Sequence, residues 1–214
     1  MEGNSLNFFQ ETIETEEALR LFTGEPSDLV KSKVINHIDH HVKNFIAKSP
    51  FLMISTSDTN GLCDVSPRGD ASGFVHILDE KHFVIPERPG NKRVDTLRNI
   101  IANPQVGLLF IIPGLEETLR INGKACVTKD EKILKEMSVN GKLPLFGIGV
   151  EVEECFIHCA KAFKRSKLWD VSSWEERDLL PSAAQILFDH AKLPQTTAEN
   201  IKERLQNSYL NQLY

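Results

Sequence analysis

The sequence predicts a mainly β domain with flanking helices, its six strands pairing antiparallel as a small barrel. Three observations carry that expectation. Between Phe51 and Cys159, six short runs rich in Val, Ile, Phe or Thr are mostly bounded by Gly, Pro, Asn or Asp, which is the pattern of strands joined by tight connections. Before and after them, apolar residues recur at steps of three and four, the spacing of one helix face. Neither an internal repeat nor a low-complexity tract interrupts the two patterns.

In chain order, "TEEALRLF" reads as a helix, followed by "SDLVKSKVINHIDHHVKNFIAKSP", where Val34, Ile38, Val42 and Phe45 line one face. With Ser27 as N-cap and Ser49-Pro50 as a stop, this second stretch is expected to be one long amphipathic helix. The strands are then "FLMISTS", "LCDVSPRG", "HFVIP", "VGLLFII", "TLRINGKACVT" and "GIGVEVEECFIHC", with a turn at "DTNG" between the first two. One helix interrupts them: "NKRVDTLRNIIANP" carries Val94, Leu97 and Ile101 on a stripe, opens after Pro89-Gly90 and closes at Asn103-Pro104. A helical pair, "SAAQILFDHAK" and "TAENIKERLQNSYLNQLY", ends the chain. The organisation that follows is an N-terminal helical segment packing on the barrel (1–49), a barrel core (50–170) and a C-terminal helical segment (171–214).

Composition narrows the function classes. A chain of 214 residues with 41% hydrophobic and 26% charged side chains is globular. Its net charge of −5, with Lys and Arg scattered, gives no nucleic-acid surface, so any anion binds at a local site. No run of about 18 apolar residues is present, so no membrane-spanning helix is expected. The acidic start "MEGNSLNFFQETIETEEALR" lacks a secretory pattern, which predicts a cytoplasmic protein whose four cysteines stay as thiols. A cytoplasmic protein also sets aside the adhesion reading of Arg68-Gly69-Asp70. No Gly-x-Ser-x-Gly elbow, Walker loop or Rossmann glycine run occurs. Any chemistry is therefore expected to be a cofactor's.

Four stretches can hold such a group. The helix opening at "PGNKRVD" offers unpaired N–H groups and the positive end of its dipole, with Asn91, Lys92 and Arg93 beside it. Arg68 reaches the same place if the strand ending near Ser66 lies beside "HFVIP", and two guanidinium forks at a helix start make a phosphate cradle. The alternative is that Arg68 and Arg93 pair with Asp70 and Asp95 on a solvated edge. In "ETLRINGKA", Thr118, Arg120 and Asn122 share one strand face, which meets either solvent or a ligand. In "HCAKAFKRSKLWD", Trp169 near Arg165 either covers an aromatic ring with its phosphate or anchors an interface. Two metal readings stand beside these, His37 with His40 and His41 in "HIDHH", and Cys155, His158 and Cys159 in "CFIHC". The first lacks a completing ligand and the second reads as strand-end packing.

Taken together, "SPFLMISTSD", "DVSPRGDASGFV", "IPERPGNKRVDTLRN", "NPQVGLLFIIPGLEETLRINGKA" and "HCAKAFKRSKLW" resemble the pyridoxamine 5′-phosphate oxidase-like flavoproteins, whose fold is the six-stranded FMN-binding split barrel. The likeness covers roughly Thr15 to Asp170. It implies a homodimer with two FMN molecules in grooves between subunits. It further implies phosphate held by Ser66, Arg68, Asn91, Lys92 and Arg93, a flavin ring lined by Thr118 and Arg120, and a pocket completed by Arg165, Ser166 and Trp169. The tryptophan-glycine stretch and basic run with which true pyridoxamine phosphate oxidases close are missing here, so vitamin B6 oxidation is not expected. The expectation is an FMN-dependent oxidoreductase passing hydride or electrons between NADH or NADPH and a small-molecule substrate, without nucleic-acid or membrane partners. The rival is a non-catalytic binder of flavin, haem or a deazaflavin in the same groove.

Overall fold

The computed structural model describes residues 8–214; the first seven residues of the expected N-terminal segment lie outside the described residues. The chain divides into two compact units, Met1–Val34 and Ile35–Tyr214. In the first, α1 (Glu16–Thr23) is capped by the Thr15 hydroxyl accepting from the Ala18 amide and ends at Gly24 with φ 67°, where a residue without Cβ turns the chain at no steric cost. The short α2 (Asp28–Ser32) follows.

The single long helix expected from Ser27 to Ser49 is not formed. Its helical spacing is broken where Ile35 pairs antiparallel with Cys155, exchanging bonds of 3.1 and 2.7 Å. A new helix, α3 (His40–Lys48), starts only after Asp39, whose carboxylate accepts from the Val42 amide at 2.8 Å. A strand pairing thus overrides helical periodicity, while Val42, Phe45 and Ile46 still face the core.

The six expected strands are present within a residue or two, and a seventh is added. They are β1 (Phe51–Ser57), β2 (Cys63–Gly69), β3 (His76–Ile77), β4 (His82–Glu87), β5 (Gln105–Ile111), β6 (Thr118–Thr128) and β7 (Phe146–His158). The extra strand β3 has two residues, too few for alternation to register. All pairings are antiparallel, in the order β2-β1-β5-β6-β7-β4-β3. The barrel is not closed, because β2 and β3 are edges without a mutual pairing.

The sheet is nonetheless strongly curled. Arg68 on β2 and Glu87 on β4 stand five strand steps apart, about 24 Å in a flat sheet. Their side chains meet at 3.0 Å. Phe83 of β4 and Phe110 of β5 likewise pack edge to face at 6.1 Å. One apolar core fills the interior, with Leu52, Ile54, Phe83, Phe110, Ile121 and Ile148 fully enclosed.

The alternation along β7 changes phase at a bulge. Asn122 pairs with Glu154 and Gly123 with Val152, leaving Glu153 as the extra residue. Below it Ile148, Val150 and Val152 point inward, and above it the inward residue is Cys155. Gly123 sits opposite the bulge, where a Cβ would lie 2.0 Å from the Glu151 carbonyl oxygen.

Around this sheet α4 (Asp95–Ala102) packs on β1 and β2, α5 (Glu131–Glu136) covers Val84, and α6 (Lys161–Ser166) follows β7. The helices α7 (Ala183–Ala191) and α8 (Ala198–Asn211) form the expected C-terminal pair. No helix among the described residues is long and apolar enough to cross a membrane.

Gly123→Ala tests the bulge. Overpacking costs about 1–3 kcal/mol where side chains can yield; a carbonyl held in the β6–β7 ladder cannot, so about 3 kcal/mol or more is expected. Thermal unfolding should show a midpoint about 6–12 °C lower. A midpoint within a degree or two of the parent's would show that the bulge relaxes freely.

Candidate anion-binding cleft at the open sheet edge

Where the sheet fails to close, a cleft of about 400 Å³ lies between the end of β2, the end of β4 and the start of α4. Each wall carries a proline, Pro67 on β2 and Pro86 on β4. Proline has no N–H to give to a ladder and belongs at sheet edges, so these positions oppose zippering of the two walls.

Arg68 spans the gap. Its Nε donates to the Glu87 carboxylate at 3.0 Å and its Nη1 to the Pro67 carbonyl at 2.8 Å, and the two side chains are 15% and 22% exposed. Across the cleft Arg93 donates Nε to Asp95 at 2.8 Å, with 73% of its side chain in solvent. Its backbone amide donates to Asn91 Oδ1 at 3.0 Å, which fixes the turn. On the floor, the hydroxyls of Ser66 and Thr96 lie 2.9 Å apart.

The helix start is unusual. Val94, the residue before α4, adopts the left-handed conformation (φ 53°, ψ 26°) and offers no side-chain cap. A β-branched residue there is sterically costly, and such strain persists only where the surroundings fix it. Val94 thus caps none of the first-turn N–H groups of α4, which have no side-chain acceptor among the described residues, and Asp95 and Thr96 of that turn line the cleft.

A second ion pair braces the same edge. Arg88 donates Nε to Asp70 at 2.7 Å, and the Asp70 side chain is 3% exposed. The Tyr214 hydroxyl and the Ala71 amide also donate to Asp70, at 2.7 and 2.8 Å. The Arg88 guanidinium lies 5.4 Å from the Tyr214 ring centroid. Burial alone would raise the Asp70 pKa, but the donors from Tyr214, Ala71 and Arg88 outweigh it and hold the carboxyl below its ordinary value. The same contact raises the Tyr214 phenol. A carboxylate enclosed in this way cannot meet a receptor, which removes the adhesion reading of Arg68-Gly69-Asp70 independently of location.

The cleft thus gathers Ser66, Arg68, Asn91 and Arg93, four of the residues expected from the sequence. Lys92 lines an adjoining pocket instead. The solvated-edge pairing is realised in part: Arg93 does pair with Asp95, but the partner of Arg68 is Glu87, and Asp70 belongs to Arg88. Within one chain the remaining residues lie elsewhere. Thr118 stands two residues before Arg120 on the same face of β6, but it is buried where Arg120 is exposed. Arg120 sits over the Phe156 ring at 5.6 Å, in an outer-face groove of about 430 Å³ with Met53, Val65 and Asn122. Arg165 and Ser166 end α6, and Trp169 donates its indole N–H to the Leu115 carbonyl at 2.9 Å while stacking on Phe163.

Thr96, Glu87 and Arg88 were not singled out from the sequence. Arg88 carried a local signal, a guanidinium in the same "PERPGNKR" turn as Arg93; Thr96 and Glu87 gain meaning only from long-range pairing.

For metals, Asp39, His40 and His41 offer three ligand atoms within 4.8 Å of one another, the one such cluster among the described residues. His37 does not join it; its Nδ1 lies 3.4 Å from Asn36 Oδ1. In "CFIHC", Cys155 is buried and donates its thiol to the His37 carbonyl at 3.2 Å. Burial pushes its pKa to about 11, the opposite of a ligating thiolate.

A family model described as pyridoxamine 5′-phosphate oxidase matches residues 38–159 of the chain. Among solved structures the chain is similar to HupZ of Group A Streptococcus, with 21% identity over 56% of this chain and 93% of that one and a TM-score of 0.47. It is also similar to HutZ of Vibrio cholerae, described as a haem storage protein (17% identity, 56% and 94% covered, TM-score 0.41). General Stress Protein 26 of Bacillus anthracis is a third (12% identity, 55% and 93% covered, TM-score 0.39). No curated protein matches the chain.

Asp70→Asn tests the brace. Because the folded carboxyl titrates below its ordinary value of 3.8, its contribution is fully present at neutral pH and is lost as pH falls through the folded pKa. Urea unfolding at pH 7 should find the variant less stable by about 1.5–3 kcal/mol. The gap to the parent should narrow once the pH drops below the ordinary carboxyl value. A gap that is constant with pH would mean the charge of Asp70 is unimportant.

Proposed function

Because the chain belongs to the pyridoxamine 5′-phosphate oxidase family, we propose that it is an FMN-binding flavoprotein whose edge cleft holds the flavin phosphate. FMN supplies hydride and electron transfer when bound; here it would connect NADH or NADPH with a small-molecule acceptor. The observation that carries the reading is the cleft itself, where guanidinium groups, a hydroxyl pair and an uncapped helix start converge.

The donor set fits a phosphate. Three guanidinium groups (Arg68, Arg88, Arg93) line the cleft, each already balanced by one carboxylate (Glu87, Asp70, Asp95), so an anion would be held by the N–H groups these pairs leave over and not by an excess of charge. Arg68 already commits Nε and Nη1, which fixes its plane and leaves Nη2 for the ligand. Its role is to hold the dianion in one place. Arg93 is exposed and its pair with Asp95 is weak, so it can exchange that carboxylate for phosphate oxygens. Ser66 and Thr96 supply hydroxyl donors, and the first turn of α4 supplies amides in the direction its dipole favours.

A homodimer completes this reading. Arg120 on the outer face and the Arg165–Trp169 segment lie apart from the cleft in one chain, and a second copy would bring such groups to the same ligand. Support comes from the outer sheet face, where Met53 and Val65 remain 40% and 63% exposed beside the Arg120 groove. Grouped apolar side chains of this kind mark association surfaces.

Flavin titrations by fluorescence quenching test the phosphate assignment. Arg68→Ala should weaken FMN about 10–150-fold, the loss of one charge-assisted contact. Arg93→Ala should cost less, up to about fivefold, because that side chain is solvated. Riboflavin, with the same ring and no phosphate, should bind all three proteins within about twofold, and the FMN losses should shrink as salt rises. Equal FMN affinity in parent and Arg68→Ala would end the phosphate reading.

Light scattering on the FMN-loaded protein tests the dimer. Twice the chain mass of 24.2 kDa is expected at micromolar concentration, since an interface completing the flavin pocket should bury more than about 1,000 Å². A single-chain mass with FMN bound would leave the cleft assignment intact and remove the second copy.

A further inference from the structure

Behind Val94 lies a second pocket, of about 250 Å³, that shares the Arg88–Val94 turn with the cleft but contains no residue of β2. Its own walls are Leu97 of α4, the segment Leu143–Phe146 leading into β7, and Tyr214. Four apolar side chains around it stay substantially exposed: Val94 46%, Leu143 47%, Leu145 78% and Phe146 39%. None is needed by the core, and together they frame one concavity.

Its charge is as distinctive as its walls. Glu87, the one acidic residue of the lining, is engaged by Arg68, and Arg88 is engaged by Asp70. Lys142 is engaged as well, donating to the backbone oxygen of Tyr214 at 2.8 Å. That leaves one ammonium group, Lys92, which makes no ion pair among the described residues. Lys92 and Val94 both sit in the left-handed region, at φ 63° and 53°. Strain of this kind in residues other than glycine collects where a site is being shaped.

We propose that this pocket is a separate binding site for a small carboxylate with a ring-sized apolar body. Lys92 attracts the carboxylate, and Leu97, Pro144 and Phe146 cover the body. Sites for drug-sized ligands run about 300–1,000 Å³, so a volume of about 250 Å³ selects a ligand nearer to benzoate. A phosphate ester would find its better partners in the cleft, where guanidinium forks and helix amides are available. The assignment stands whether or not the cleft holds FMN.

Benzoate titrated into the isotope-labelled full chain, followed by amide NMR, tests the proposal. Signals from 94–97 and 142–146 should move together, with a dissociation constant on the order of 1 mM for so small a ligand. Cyclohexanecarboxylate should do the same. Acetate, which lacks the body, and benzyl alcohol, which lacks the charge, should bind at least about threefold more weakly. Lys92→Met, at an exposed position, should weaken benzoate about two- to fivefold and leave benzyl alcohol unchanged. Phe146→Ala should weaken benzoate and cyclohexanecarboxylate alike. The proposal is overturned if benzoate moves no signals in these segments, or if Lys92→Met binds it as tightly as the parent.

Discussion

The ion pair between Arg68 and Glu87 is the contact on which the architecture of the cleft turns. It joins the two ends of a sheet that curls far enough to meet itself and then does not zip. Had β2 and β4 paired through their backbones, the gap would be one strand spacing wide, about 4.8 Å, and no ligand would enter. Prolines on both walls deny that pairing some of its donors, and the side-chain bridge takes its place. Because both partners are largely shielded from water, the pair is held more firmly than an exposed one, and removing either partner would strand a charge.

The second pair, Arg88 with Asp70, works on the same edge through a different mechanism. Asp70 follows the last residue of β2 and Arg88 the last residue of β4, so the two bridges act at consecutive steps across the split. Tyr214 closes the arrangement by donating to Asp70 and lying beside Arg88. The cost of burying the Asp70 charge is offset by three donors, the condition under which a buried carboxylate stays ionised. Two anchored guanidinium groups give the cleft a wall whose charges need little reorganisation when an anion arrives.

Legibility in the sequence followed the range of the interactions involved. Strands such as "FLMISTS" and "TLRINGKACVT" are read to the residue, because alternation and turn residues are local properties. The long helix is misread because its interruption comes from Cys155, more than a hundred residues away, which claims the backbone of Ile35. A two-residue strand such as β3 has no period to detect. At the site, Arg68 and Arg93 are legible from turn chemistry. Their carboxylate partners are not, since Glu87 and Asp70 are both plausible for Arg68 until the curl of the sheet decides. Alternation puts Thr118 on the face of Arg120, but it does not show that Thr118 is buried along with Leu119 at the start of β6, where both faces of the strand are covered.

Both arginines are already paired with carboxylates, and the burial of each pair decides which of them is open to exchange. Arg93 and Asp95 are 73% and 28% exposed, so their attraction is screened and worth at most about 1 kcal/mol. A phosphate bearing about −1.5 to −2 charges would offer the same guanidinium more charge than the single carboxylate does, so on the phosphate reading the exchange is favourable. Arg68 is the opposite case. Shielded and doubly bonded, it has no reason to leave Glu87, and it meets an anion with the edge of the guanidinium that Glu87 and Pro67 leave over. On the proposed reading one arginine would therefore keep its carboxylate and fix the site, while the other would give up its carboxylate and close on the ligand. That division of labour follows from solvent exposure, and it sets the ranking expected of the two residues in affinity for a phosphate.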